Sequence, residues 1–110
     1  MSGTRPVRVV AVAPVHNRRD TTLRWLRALS RVDRDGIDFA CIVVDDGSTD
    51  GTAGAIRSEF PGVEIVPGDG TLWYTAGTNR GFEAALARGP DYVLAMNDDT
   101  APDRAFLASL

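Results

Sequence analysis

Residues 39–50 read FACIVVDDGSTD, and the fold turns on this stretch. Its first six residues, 39–44, are apolar and end abruptly at Asp45-Asp46-Gly47. A short run that is apolar on both alternating faces fits a strand covered on both sides. The Asp-Gly pair stops the strand, and Ser48, Thr49 and Asp50 are residue types that cap a following helix. A buried strand handing over to a helix is the repeating unit of a parallel α/β sheet.

The same unit recurs on both sides. Residues 7–15, VRVVAVAPV, form a β-branched run that predicts a first strand. Asp20 is expected to cap a helix carrying Leu23, Leu26 and Leu29. After the second strand, a helix with Ala53, Ile56 and Phe60 on one face ends at Pro61-Gly62. Residues 63–66 predict a short third strand, closed by Pro67-Gly68-Asp69-Gly70. A helix over about 76–88 follows, with Phe82, Ala85 and Leu86 inward, and Gly89-Pro90 ends it. Residues 92–96 predict a fourth strand, and Thr100 caps a last helix with Pro102 in its first turn. Alternating strands and helices imply an α/β fold, a Rossmann-like parallel sheet with helices on both faces. Right-handed crossovers and the doubly wound habit give the strand order 3-2-1-4.

Composition narrows the partners. The 110 residues suffice for one domain with a core, and 44% apolar with 25% charged content is ordinary for a globular protein. The net charge of −3 and the absence of a basic stripe exclude nucleic acid as a partner. All 12 basic residues are Arg, which reads as lineage or codon bias. Cys41 is the single cysteine and lies in an apolar run, so no internal disulfide forms and a reducing compartment is expected. No apolar run nears the roughly 18 residues of a membrane helix. Residues 1–6 lack a signal peptide's apolar stretch. The expected location is cytoplasmic, with work at the inner face of a membrane open through partners.

In open parallel sheets ligands bind outside the carboxyl ends of the strands. Three loops meet there, 14–18, 45–49 and 97–100, and the order 3-2-1-4 sets them side by side. Two of the three are acidic. An acidic crevice repels a diphosphate unless a divalent cation neutralises it, and magnesium and manganese take a few carboxylates with phosphate oxygens and water. Asp98 and Asp99 point in different directions as consecutive residues, so at most one binds metal directly. The other can orient a ribose or water, and Asn97 can hydrogen-bond the nucleotide. Turn formation and helix capping are the structural alternative for this pair. Asp45 and Asp46 can accept hydrogen bonds from a ribose or base, or simply make an Asp-Gly turn.

The first loop, Pro14-Val15-His16-Asn17-Arg18, contains neither G-x-G-x-x-G nor a P-loop, which excludes a dinucleotide site of that type. His16, the only histidine, either contacts a ligand or sits at the surface. Arg18 and Arg19 either meet phosphate or remain solvated. Residues 70–81 read GTLWYTAGTNRG. Trp73 and Tyr74 either stack on a sugar or base or plug the core. Asn79 and Arg80 are expected near the first turn of the following helix, which favours anions. Gly77 and Gly81 would admit close approach of backbone to ligand.

Taken in order, these motifs resemble the inverting glycosyltransferases of family 2. The resemblance rests on Pro14-Val15-His16-Asn17-Arg18, on Asp45-Asp46-Gly47-Ser48-Thr49-Asp50, on Asn79-Arg80-Gly81, and on Asn97-Asp98-Asp99 as an Asp-x-Asp-like motif. It implies the N-terminal half of an A-type nucleotide-sugar-binding fold, with residues 1–110 as the donor-binding domain and the acceptor-binding half beyond. Asp46 would bond the base with Asp45 alongside, and Pro14, His16 and Asn17 would meet the base. Asn79 and Arg80 would lie near the diphosphate. Asp99 would bind Mn2+ or Mg2+, with Asp98 at the middle position, and Asn97 departs from the usual Asp. The donor would be a UDP- or dTDP-linked sugar and the acceptor a glycan or lipid-linked hydroxyl, as in cell-wall or polysaccharide synthesis. The general base would lie beyond Leu110, so no catalytic residue is assigned here. The stretch around Trp73 and the Asn97-Asp98-Asp99-Thr100 ending look like a rhamnosyltransferase-like branch. A non-catalytic nucleotide-sugar-binding module and a nucleotidyltransferase are the rival readings. The second expects a Gly-rich basic loop after the first strand, which is not present. A fourth strand with a free edge is expected to make the chain self-associate.

Overall fold

The structure is a computed structural model and describes residues 5–109. The elements run β1 (Val7–Val15), α1 (Arg19–Ser30), β2 (Ile37–Asp46), α2 (Thr52–Glu59), β3 (Glu64–Gly68), α3 (Trp73–Leu86) and β4 (Tyr92–Ala95). The four strands form one parallel sheet in the order β3-β2-β1-β4, as the alternating pattern predicts.

Alternation along the central strands sorts side chains into two core layers. Val9, Ala11, Ala13 and Val15 of β1 and Val43 of β2 pack under α1 and α2 against Leu23, Trp25, Leu26, Leu29 and Ile56. Val10, Val12 and Ile42 face the other way and pack under Phe82 and Ala85 of α3. Helices on both faces explain why the runs 9–13 and 41–44 are apolar without interruption. Truncating a buried leucine such as Leu26 in this layer would cost about 2–5 kcal/mol. Gly81 sets the distance of α3 from the sheet: a Cβ there would fall 2.1 Å from Val12 Cγ1. A Cβ at Gly77 would fall 3.0 Å from Pro14 Cβ. Both glycines therefore serve helix–sheet contact, not approach to a ligand.

The helix starts depart from the sequence reading. Asp20 does not cap α1. The Arg19 N–H instead donates to Asp50 Oδ2 at 2.9 Å, and the Thr52 N–H donates to Asp50 Oδ1 at 3.1 Å. One carboxylate thus serves the starts of α1 and α2, and the Thr52 hydroxyl holds that carboxyl below its ordinary range. Ser48 is spent on Asn17 and does not cap α2. β3 runs on to Gly68, and α3 begins at Trp73, before the expected position. Leu86, expected inward, is exposed as the last residue of α3, while Phe82 and Ala85 face the sheet. No helix forms after Thr100 among the described residues: 104–109 make turns. Asp103 Oδ1 accepts the Ala105 N–H, and Leu107 still reaches the core.

No helix among the described residues is long and apolar enough to cross a membrane. Most of the segment read as lacking a leader, residues 1–4, lies outside the described residues.

Candidate functional site

The carboxyl ends of β2, β1 and β4 open into one cleft of about 260 Å³, walled by Pro14, His16, Arg18, Asp46, Trp73 and Asp98 among others. Its loops are stitched together by side chain to backbone bonds. Asn17 adopts a left-handed conformation, φ 49°, which asparagine tolerates better than most residues. Its Oδ1 accepts the Thr49 N–H at 2.7 Å, and its own N–H donates to Ser48 Oγ at 2.9 Å. His16 Nδ1 lies 2.6 Å from the Asp46 carbonyl oxygen. That partner only accepts, so Nδ1 carries a proton, and Nε2 lies 3.3 Å from Asn17 Nδ2.

Asp45 and Asp46 are both buried. Asp45 Oδ1 accepts the Ser48 N–H at 3.1 Å. Asp46 accepts three backbone N–H groups: Gly70 on Oδ1 at 2.8 Å, and Leu72 and Trp73 on Oδ2 at 3.0 and 3.1 Å. Gly47 makes the approach possible, with φ +71° and room for no Cβ, which would fall 2.7 Å from the Gly70 nitrogen.

At the other end, Asp98 is buried and Asp99 is 56% exposed. The Thr22 hydroxyl, itself inaccessible, donates to Asp98 Oδ2 at 2.8 Å. Arg18 faces both carboxylates, Nη1 at 3.3 Å from Asp98 Oδ1 and Nη2 at 3.9 Å from Asp99 Oδ2. One positive charge therefore already sits between the two carboxylates. No cluster of three or more His, Cys, Asp or Glu side chains able to hold a metal occurs among the described residues. A carboxylate pair around one cationic position nevertheless fits Mg2+ or Mn2+, which take one or two carboxylates and complete their shell with phosphate oxygens and water.

Pro14, His16, Asp46 and Asp98 line the cleft, and Asn17 and Asp45 shape its loops. Asp99 stands at its rim beside Arg18. Asn97 lies over a neighbouring hollow with Leu94, Met96 and Phe106. Asn79 and Arg80 do not fall in a first helical turn. They lie in the middle of α3, where the early helix start leaves them, and Arg80 Nη1 donates to the Pro67 carbonyl at 3.1 Å. Trp73 and Tyr74 do not plug the core; they are 78% and 54% exposed and wall the cleft. Sequence reasoning missed Thr22, whose only signal was a hydroxyl on the inward face of an amphipathic helix. Cys41 offers no nucleophile: burial pushes its thiol up to about 12, so it stays protonated.

An open parallel sheet with an acidic pair and an aromatic wall at its carboxyl edge defines a Rossmann-like ligand-binding domain. The sequence pattern of glycosyl transferase family 2 matches residues 10–110, and the chain belongs to that family. Among solved structures it is similar to the mannosyltransferase PcManGT from Pyrobaculum calidifontis in complex with GDP-Man and Mn2+. That match has a TM-score of 0.67 and 27% identity, and it covers 96% of this chain and 31% of the mannosyltransferase. No curated protein matches this chain.

Proposed function

We propose that this chain provides the donor site of a metal-dependent glycosyltransferase, which moves a sugar from a nucleoside-diphosphate sugar to an acceptor hydroxyl with inversion. The observation that carries this reading is the asymmetric pair at the cleft: Asp98 is fastened from below by Thr22, while Asp99 is exposed beside it. The binding of GDP-Man and Mn2+ by the similar mannosyltransferase supports it. Asp99, with Asp98 behind it, would hold Mn2+ or Mg2+. Such an ion, when bound, neutralises the departing nucleoside diphosphate. Thr22 fixes the direction of the Asp98 carboxylate, and Arg18 at the rim can meet diphosphate oxygens. His16 is anchored through Nδ1 on the Asp46 carbonyl, within the loop expected to meet the nucleotide and not the acceptor. We therefore assign the general base to a part of the enzyme outside these residues. On residues 72–81 and 97–100 we assign the chain to a rhamnosyltransferase-like branch, and on the lone buried Cys41 to the cytoplasmic side. For the base of the donor, uridine or thymidine follows from the resemblance of the motifs, while the similar mannosyltransferase carries guanosine.

The test is calorimetric titration of UDP, dTDP and GDP, with and without Mn2+, into the wild type and Asp99→Ala. Metal should tighten nucleotide binding in the wild type. The substitution should remove that gain, by at least the roughly 10–100-fold that a metal site loses with a supporting residue. Equal enhancement in both proteins would refute the assignment.

A further inference from the structure

We propose that the Arg18 guanidinium competes with the divalent cation for the Asp98–Asp99 pair, and that the donor's diphosphate ends the competition by drawing Arg18 onto its own oxygens. The inference rests on the donor-site reading and deepens it, since it states how metal and nucleotide enter that site.

The backbone of Arg18 is tied down and its side chain is not. Arg18 directly precedes α1, and its carbonyl oxygen accepts the Thr22 N–H at 2.8 Å. The Thr22 hydroxyl donates to Asp98 Oδ2, also at 2.8 Å. One residue of α1 thus secures both the loop that carries Arg18 and the carboxylate that Arg18 faces. The guanidinium itself is held loosely. It stands 3.3 Å from Asp98 Oδ1 and 3.9 Å from Asp99 Oδ2, on a side chain that is half-exposed. Charge-assisted hydrogen bonds close to about 2.7–2.9 Å. Arg27 meets Glu59 in that way, at 2.6 and 2.8 Å, and Arg5 meets Asp91 at 2.8 and 2.7 Å. Arg18 therefore acts on its two carboxylates through charge, without the paired short bonds that fasten Arg5 and Arg27.

Charge also decides what the carboxylate pair accepts. Asp98 is buried, and a buried carboxylate is costly without a compensating cation. Arg18 supplies one. A divalent ion arriving beside it meets a like charge at close range, and such repulsion counts even near a protein surface. A diphosphate reverses the balance, because its oxygens match a guanidinium in charge and in fork geometry. Arg18 lines the cleft on one side and a second hollow with Asp20 and Asp50 on the other, so its stem has room to turn. With Arg18 turned to phosphate, Asp98 and Asp99 are left to the metal, which shares the phosphate oxygens. Metal and nucleotide then promote each other's binding, by the same factor in both directions.

The test reads binding and not turnover. Mn2+ alone is titrated into the wild type, Arg18→Ala, Arg18→Gln and Arg18→Lys, with electron paramagnetic resonance reporting the free ion. Arg18→Ala and Arg18→Gln should tighten Mn2+ about tenfold or more, because a competing charge is gone. Arg18→Lys keeps the charge and should bind Mn2+ as the wild type does. A metal-free nucleotide, UDP or GDP according to which binds the wild type with Mn2+, is titrated by calorimetry. It should move the other way and weaken about fivefold or more in Arg18→Ala and Arg18→Gln, since a charged phosphate contact is lost. A residue that merely kept the loop folded would shift both ligands in the same direction. The Gln variant, nearer to Arg in shape, covers the case in which the Ala variant does not fold. Unchanged or weaker Mn2+ binding in these two variants, nucleotide affinity that does not fall, or an Arg18→Lys that gains Mn2+ as Arg18→Ala does, would each overturn the inference. If the wild type still binds nucleotide with Mn2+ in those cases, the donor-site reading stands. If the wild type binds no nucleotide even with Mn2+, the donor-site reading falls and the competition with it.

Discussion

Asp45-Asp46 and Asp98-Asp99 are the same dipeptide at the same end of the sheet, yet the structure treats them as different objects. β2 is an interior strand, and Asp45 and Asp46 are still within its pairing with β3, opposite Pro67 and Gly68. Both are buried, and every bond their carboxylates accept comes from a backbone N–H. β4 is an edge strand that ends at Ala95, so Asp98 and Asp99 lie beyond the ladder. Their partners are side chains of one neighbouring segment, Thr22 and Arg18. Backbone donors cannot leave without unravelling a loop, whereas a guanidinium on a flexible stem can swing aside. The interior pair is therefore held by loop backbone, whereas the edge pair is held by side chains and leaves Asp99 exposed.

The largest effect expected from this contrast is in stability. Asp46→Ala strands three backbone N–H groups, each bonded to a charged acceptor, and hydrogen bonds of that kind are worth about 1.5–3 kcal/mol. A loss of about 3 kcal/mol or more should appear in urea denaturation. Asp99→Ala, at an exposed position, should stay within about 0.5 kcal/mol of the wild type. Equal stabilities for the two variants would erase the distinction between the pairs.

A smaller effect probes the edge pair from beneath. Thr22→Val keeps the side chain's shape and removes the hydroxyl that holds Asp98. A buried charged acceptor then loses a donor, and denaturation should report a loss of about 1–3 kcal/mol. No loss would mean that Asp98 is held by Arg18 alone.

The smallest effect comes from an aspartate at the opposite end of the sheet. The Arg5 guanidinium, hydrogen-bonded to Asp91, holds its carboxyl down to about 2, with help from the Arg8 N–H. A depressed carboxyl stabilises the fold above its unfolded value near 4 and loses that contribution as pH falls toward 2. Asp91→Asn should flatten the pH dependence of thermal unfolding between about pH 4 and 2, relative to the wild type. An unchanged profile would show that this exposed pair contributes nothing.

The apolar runs 7–15 and 39–44, with breakers between them, were enough to predict the parallel sheet and its order, and the ordered loop motifs were enough to point to the family. Strand pattern and turn chemistry act over a few residues, so they are written in contiguous sequence. The sequence by itself also marked which loops would meet, since the doubly wound habit gathers them at one edge. What only the tertiary structure decided is which polar groups are spent and which are free. Asp46 is spent on amides 24 to 27 residues away, Asp98 on a hydroxyl 76 residues away, and Asp50 on a helix start 31 residues away. Arg80 falls mid-helix because α3 begins at Trp73, a start set by the Asp46 carboxylate and not by a local capping residue. A hydrogen bond needs its partner within about 3 Å, and across such separations only the packed sheet sets that distance.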